Sequence, residues 1–226
     1  GWAYCIRASH TYPVVSSGSF LFCERMSRVF TDSHCHLNRL DLSKHAASLD
    51  HALDAARAVG VNRFLAVAVD LDDHPTLMAI AHQHADVGIS VGVHPCEDPS
   101  MMARATVEHL CALGADPHVW AIGETGLDYH YSREHANAQQ DCMARHIEAG
   151  RRLGKPVIVH TREARADTIA LLREHNAKHG ILHCFTEDWA TAFPLKGQKG
   201  DYYNLLVDGF QAGHLHMQAE VQIGRA

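Results

Sequence analysis

Histidine is used unusually often in this sequence, at 20 of 226 residues. Several histidines, and one glutamate, lie within a few residues of the end of a short apolar run; these residues are His34, His36, His94, Glu124, His160 and His183. Neutral imidazole binds borderline divalent cations such as zinc, and carboxylate oxygens also suit magnesium and manganese. The residue types therefore point to a site for one or two divalent ions.

The closest pair in this set is His34 and His36, which are separated only by Cys35. Side chains two residues apart on a strand project from the same face, so both imidazoles can reach one ion. Taken alone, the pair can also be two unrelated surface histidines. In the same way, His94 alone can be a hydrogen-bonded structural histidine, and Asp128 can be a helix cap.

The elements that must position these side chains follow a repeating pattern. From residue 29 onward, short β-branched runs alternate with longer amphipathic stretches, which is typical of βα units around a parallel sheet. The predicted strands are 29–34, 63–69, 88–93, 119–123, 156–160 and 181–184. The predicted helices are 49–59, 74–84, 101–113, 135–153 and 163–175.

Six βα units fit either a doubly wound sheet or a (β/α) barrel. A doubly wound sheet gathers its ligands at one switch point, whereas a barrel collects functional residues from the carboxyl ends of several strands. Here nearly every predicted strand ends at a histidine or a carboxylate. We therefore predict an α/β fold of the TIM-like barrel type.

Five strings together resemble the TatD family of metal-dependent hydrolases: DSHCHL, GVHP, IGETGLDY, VIVHTREA and ILHCFTE, in this order within 27–192. The resemblance implies a divalent-metal barrel enzyme, mainly a deoxyribonuclease, that cleaves phosphodiester bonds with a metal-activated water. It implies DNA, single-stranded or at its ends, as the substrate. One or two ions of magnesium, zinc or manganese would be the cofactor.

Carried over residue by residue, the resemblance assigns His34 and His36 to one metal ion and His160 and His183 to a second. Glu124 would bridge the two ions. Glu124 and His94 are the candidate catalytic residues, and His94 lines the site without a firm role as a ligand.

The family pattern stops near residue 192, and the late-strand aspartate of a TDxP-like string does not follow. Asp208 lies only 25 residues after His183, too near for that position. We divide the chain into an extension at 1–25, a barrel at 26–192 that is incomplete at its C-terminal end, and an atypical tail at 193–226. We expect the chain as given to be marginally folded and nearly inactive.

Composition limits the other possibilities. A net charge of −6 argues against a broad basic surface for duplex DNA. The apolar runs are too short for a membrane span, and no obligate protein partner is indicated.

Seven cysteines without a CxxC pair favour a reducing cytoplasm. A small residue beside a strand end is the preferred reading of Cys35, Cys96 and Cys184, against a thiol nucleophile.

Two alternative functions remain open. HxH followed by later histidines also serves hydrolases of the same barrel class that act on amide, ester or lactone bonds. The abrupt change near Phe193 also fits an inactive, truncated fragment.

Overall fold

The fold is a curved sheet whose strands alternate with helices. The computed structural model describes residues 30–177 and 179–183, together with two short strands further along the chain. The strands are β1 Phe30–Cys35, β2 Val61–Ala66, β3 Val87–Val91, β4 Val119–Asp128, β5 Val157–Arg162, β6 His179–His183, β7 Asn204–Val207 and β8 Ala219–Val221. They pair in chain order, in parallel from β1 to β7, and β8 is antiparallel to β7.

Helices connect the successive strands from β1 to β6, as expected for parallel βα units. They are α1 Leu49–Ala58, α2 His74–Gln83, α3 Pro99–Arg104, α4 Val107–Gly114, α5 Ala136–Leu153 and α6 Arg165–Glu174. None of the described helices is long and apolar enough to cross a bilayer. The arrangement confirms the predicted TIM-like (β/α) barrel class.

Side-chain alternation along the strands decides which residues face the barrel interior. On β5, Val157 and Val159 pack with residues of α5 and α6, whereas Ile158 belongs to a separate inner cluster with Leu65, Val67 and Ala121. His160 has the same parity as Ile158, so its ring is directed inward. On β6, Ile181 packs against the inner cluster, and His183 follows it with the same parity.

The six strands predicted at 29–184 are present with end shifts of a few residues, but the single helix predicted at 101–113 is wrong. Two helices, α3 and α4, occupy this stretch. Ala105 leaves helical geometry with ψ at 64°, and the Thr106 side chain accepts a hydrogen bond from the backbone of His109. Thr106 is therefore an N-cap that starts a new helix.

The tail contains one strand that the sequence does not predict. The stretch 202–207 could supply a seventh strand, which the structure has as β7, but no strand is predicted within 211–226, where β8 pairs with β7 through Leu205–Val221, Leu206–Glu220 and Val207–Ala219. Three antiparallel residues are enough to satisfy part of the exposed edge of β7. The proposed domain boundaries at 25/26 and 192/193, and the candidate Asp208, lie outside the described residues.

Candidate metal centre

Glu124, in the second half of β4, is the residue around which the predicted site is arranged. Its Oε2 lies 3.3 Å from Nε2 of His34, and its Oε1 lies 3.5 Å from Nδ1 of His160 and 3.9 Å from Nε2 of His94. The ring of His183 stacks on that of His34 at 3.3 Å between centroids. Glu124 thus lies between two histidine pairs, His34 with His183 and His94 with His160. On each side, the potential metal-ligand atoms of the pair and of Glu124 lie within 4.8 Å of one another.

A buried serine fixes the backbone that carries Glu124. The Ser90 side chain accepts a hydrogen bond from the backbone N–H of Ala68 at 3.0 Å and donates to the carbonyl oxygen of Gly123 at 2.5 Å. The N–H of Glu124 also donates to the carbonyl of Ala68, at 3.3 Å. Ser90 therefore ties the ends of β2 and β4 together, a role that its position in the sequence did not indicate.

His36 is close to this centre but outside the two groups around Glu124. Its ring centroid lies 5.1 Å from that of His34, and its Nδ1 is 2.8 Å from the carbonyl oxygen of Val67. A carbonyl only accepts, so Nδ1 must carry the proton and Nε2 keeps its lone pair. This orientation is common among histidines that bind metals through the second nitrogen.

Asp128 has a role that sequence reasoning missed. It does not cap an α-helix; its Oδ1 accepts hydrogen bonds from the backbone N–H groups of His130 and Tyr131, at 3.0 and 2.7 Å. Its Oδ2 lies 3.0 Å from Nε2 of His160. The sequence does contain a signal for this role: Asp128 comes four residues after Glu124 within IGETGLDY, and residues four apart on a strand project from the same face.

The contact with Asp128 sets the proton position on His160. Burial opposes ionisation of Asp128, but the Tyr131 N–H and His160 lower its pKa overall, so the carboxylate is ionised and accepts. Nε2 of His160 therefore carries a proton, and Nδ1 faces Glu124. Burial lowers the pKa of His160, but Glu124 and Asp128 outweigh burial and raise it.

His94 has the opposite tautomer from the one a metal ligand needs. Its Nδ1 accepts a hydrogen bond from the backbone N–H of Cys96 at 3.1 Å, so the proton of the neutral ring is on Nε2, toward Glu124. Burial lowers the pKa of His94 to about 4, which keeps the ring neutral at pH 7. The distances alone group His94 with possible ligands, but this hydrogen bond favours a donor role.

A second buried histidine supports the segment that carries His94. The N–H of Val93 donates to Nε2 of His146 at 3.1 Å, and Nδ1 of His146 donates to the carbonyl of Cys142 at 2.7 Å. Both ring nitrogens are satisfied, and burial lowers the pKa of His146 to about 4. His146 therefore links helix α5 to the end of β3 as a neutral imidazole.

The donor set fits a divalent cation. His34 is only 7% exposed; its Nε2 faces Oε2 of Glu124 at 3.3 Å, and its Nδ1 has no hydrogen-bond partner among the described residues. A buried ring nitrogen without a partner is costly unless something else occupies its lone pair. Burial raises the pKa of Glu124, but His160 and His34 outweigh burial and hold it well below its usual range, so a carboxylate stands among the imidazoles.

Two of the three cysteines beside the site are described, and both remain protonated. Burial, followed by the charge of Asp32, raises the pKa of Cys35 well above its usual value. Burial and the charge of Asp128 raise that of Cys96. A thiol is a poor nucleophile compared with a thiolate, so these residues do not fit a thiol mechanism. Cys184 lies outside the described residues.

The chain is similar to known proteins in sequence and in fold. The family model for TatD related DNase matches residues 31–203. The Escherichia coli K12 protein named "uncharacterized metal-dependent hydrolase YcfH" is 46% identical over 165 residues, covering 71% of this chain and 60% of that protein. The mouse "putative deoxyribonuclease TATDN3" is 31% identical and covers 76% of this chain and 61% of its own length.

Two solved structures share the fold. The TatD homologue YJJV from Escherichia coli K12 superposes with a TM-score of 0.62 at 22% identity, covering 78% of this chain and 66% of that one. A TatD family hydrolase from Entamoeba histolytica gives 0.64 at 19% identity, covering 80% and 65%. The chain spans about 60% of the length of the first curated relatives that it matches. With the family match extending over most of the chain, and with Glu124 between two histidine pairs at the strand ends, the chain belongs to the family of TatD-related DNases.

Proposed function

We propose that this chain is the metal-binding part of a hydrolase that cleaves phosphodiester bonds in DNA. The observation that supports this most directly is the position of Glu124, whose two carboxylate oxygens face two separate groups of histidines. One carboxylate between two imidazole groups suits a pair of cations, and paired cations are common in enzymes that act on phosphate esters. The matching family model points to the same class of substrate.

The residues that would hold the metal ions are His34, His36 and His183 on one side and His160 on the other, with Glu124 between them. The family resemblance assigned His183 to the ion of His160, but we move it to the other side because its ring stacks on that of His34. When bound, the ions would lower the pKa of a water molecule and offset charge on the phosphoryl oxygens. Asp128 accepts a hydrogen bond from Nε2–H of His160, which leaves the lone pair of Nδ1 available to bind a metal ion. The Nε2 proton of His94 is available for a hydrogen bond to a substrate oxygen.

The rim beside the centre offers a surface for a nucleobase. Tyr131 is 64% exposed, unusually much for a large aromatic side chain, and the Arg162 guanidinium lies over its ring at 4.6 Å. Tyr131 lies three residues after β4, and Arg162 is the last residue of β5; both strands carry site residues. Base stacking on an aromatic ring supported by arginine needs little net positive charge, so it suits an acidic protein and single-stranded DNA.

The cytoplasm remains our proposed compartment, on the basis of cysteine usage. The four described cysteines, Cys35, Cys96, Cys111 and Cys142, carry free thiols.

The chain as given is expected to be nearly inactive, so the function is tested in a version whose residues after 192 are replaced by the matching C-terminal part of a relative such as YcfH; this version is the parent in all rate measurements. It is incubated with an end-labelled single-stranded oligonucleotide and magnesium or manganese. We expect the DNA to be shortened, the reaction to stop with excess chelator, and cleavage to return when the metal is restored. Carboxylic ester and lactone substrates are assayed in parallel. Hydrolysis of either one while the oligonucleotide stays intact would contradict the phosphodiester assignment and favour the other class of barrel hydrolase.

Replacing Tyr131 with alanine should raise the KM for single-stranded DNA about tenfold with little change in kcat, because one stacked base contributes about 1–3 kcal/mol. Tyr131→Phe is the matched control, since it keeps the ring above Arg162 and removes only the hydroxyl. We expect Tyr131→Phe to have nearly the KM of the parent chain. An unchanged KM in the alanine variant would exclude stacking at this position.

A further inference from the structure

A second group of metal-binding side chains lies outside the centre around Glu124. It consists of His82, near the end of α2, and of Asp116 and His118, just before β4. Each residue offers one donor atom, and the three atoms lie within 4.8 Å of one another. The two imidazole rings meet edge to face at 4.7 Å between centroids.

This group lies at the opposite end of the barrel from Glu124. His82 precedes β3 and His118 precedes β4, whereas His94 follows β3 and Glu124 lies five residues beyond Val119, the first residue of β4. Five residues of strand span about 16 Å. The two groups therefore cannot bind the same ion.

Asp116 and His118 are already held in one arrangement. Oδ1 of Asp116 accepts hydrogen bonds from the backbone N–H of His118 at 2.8 Å and from its ring Nδ1 at 2.9 Å. Oδ1 and Nδ1 are therefore two potential ligand atoms only 2.9 Å apart, close to the separation of two ligands of one ion. A cation that binds both atoms would displace the proton that they share, and the neutral His118 ring would then carry its proton on Nε2.

The loop that carries this pair is fixed on both sides. Ile89 of β3 donates its N–H to the carbonyl of His118 at 2.9 Å. The Lys155 ammonium donates to the backbone carbonyls of Gly114, Asp116 and Val119. A preformed loop reduces the ordering cost of binding an ion, and only the more exposed His82 has to adjust.

We propose that His82, Asp116 and His118 form a structural site for a borderline divalent cation, with zinc as the best match. Two imidazoles and a carboxylate suit zinc, and bonds of about 2.0–2.2 Å in a tetrahedral site place donor atoms about 3.4 Å apart. Modest side-chain rotation brings the donors from their present separation to that value. The bound ion would cross-link the end of α2 to the loop before β4, and so stabilise the end of the sheet opposite Glu124.

The test uses zinc alone as the probe, with the whole chain. Bound zinc is counted by equilibrium dialysis, and the unfolding temperature is measured with and without zinc. We expect His82→Ala, and the double variant His82→Ala with His118→Ala, to bind one zinc ion fewer per chain than the parent. Both should lose part of the zinc-induced rise in unfolding temperature, since only binding to the folded state stabilises it.

Two comparisons make the result specific. His51→Ala removes an exposed histidine from α1 and should leave zinc content and unfolding temperature unchanged. Glu124→Gln changes the centre at the other end of the barrel and should leave the His82 ion in place. If the double variant is poorly folded, His82→Ala decides alone, because His82 is exposed. Equal zinc content in His82→Ala and the parent would overturn the proposal.

Discussion

Replacing Glu124 with glutamine should lower the rate of DNA cleavage by at least about a thousandfold, a loss of roughly 4 kcal/mol of transition-state stabilisation. The reason is that one side chain faces both histidine groups, so the change weakens both at once. Glutamine has nearly the same shape, but its amide is uncharged and offers only one oxygen. The rate is measured with labelled oligonucleotide at saturating metal.

The glutamine variant should remain folded, as judged by circular dichroism and a single unfolding transition, because the replacement creates no cavity. Glu108→Gln provides the matched control: this side chain is 80% exposed on α4 and meets Arg152 only at 3.7 Å. We expect its rate to equal that of the parent. Near-parental cleavage by Glu124→Gln would mean that the carboxylate does not organise the reaction, and the proposed bridging role would have to be abandoned.

The orientation of the site histidines could be predicted from sequence because strand periodicity is local. His160 follows Ile158, and His183 follows Ile181, at the two-residue repeat that separates the inner and outer faces of a strand. Parallel strands with carboxyl ends at one rim then bring these residues together. Neither step requires knowledge of contacts between distant segments.

Other features of the site depend on contacts that no local pattern encodes. Ser90 reaches the carbonyl of Gly123, 33 residues away, and His146 accepts the N–H of Val93, 53 residues away. Both are buried polar side chains, and burial favours a partner for every donor and acceptor without identifying that partner. A serine within β3 and a histidine within α5 are therefore ambiguous until the elements are packed.

The tautomers separate histidines that look equivalent in the sequence. His94 and His160 each follow an apolar run, yet Cys96 N–H leaves the proton of His94 on Nε2, and Asp128 leaves Nδ1 of His160 available. The first arrangement suits a hydrogen-bond donor and the second a ligand. Sequence analysis placed both at the site, but the division of roles came from neighbouring atoms.

Gly126 couples the fold to the site, and changing it to alanine should both destabilise the chain and impair metal binding. Its φ of +141° is unfavourable for any residue with a Cβ, and a Cβ at this position would collide with the carbonyl oxygen of His160. Gly126 and His160 are also paired in the register between β4 and β5. The clash therefore falls on the backbone of a residue that contacts both Glu124 and Asp128.

We expect Gly126→Ala to lower the free energy of unfolding by roughly 2–5 kcal/mol, which combines backbone strain with overpacking. For a chain of this size, that corresponds to a fall in unfolding temperature of about 10 °C.

Gly154→Ala is the matched control because Gly154 also has positive φ, at +64°, but a Cβ there would have no neighbour within 4 Å. Its cost should be only the left-handed backbone penalty of about 1–2 kcal/mol. Thermal unfolding of the two variants, with and without manganese, separates strain from collision: only Gly126→Ala should also lose metal-induced stabilisation, because only there must His160 move. Equal behaviour of the two variants would show that β4 and β5 can separate without cost, and that the close approach at Gly126 does not position His160.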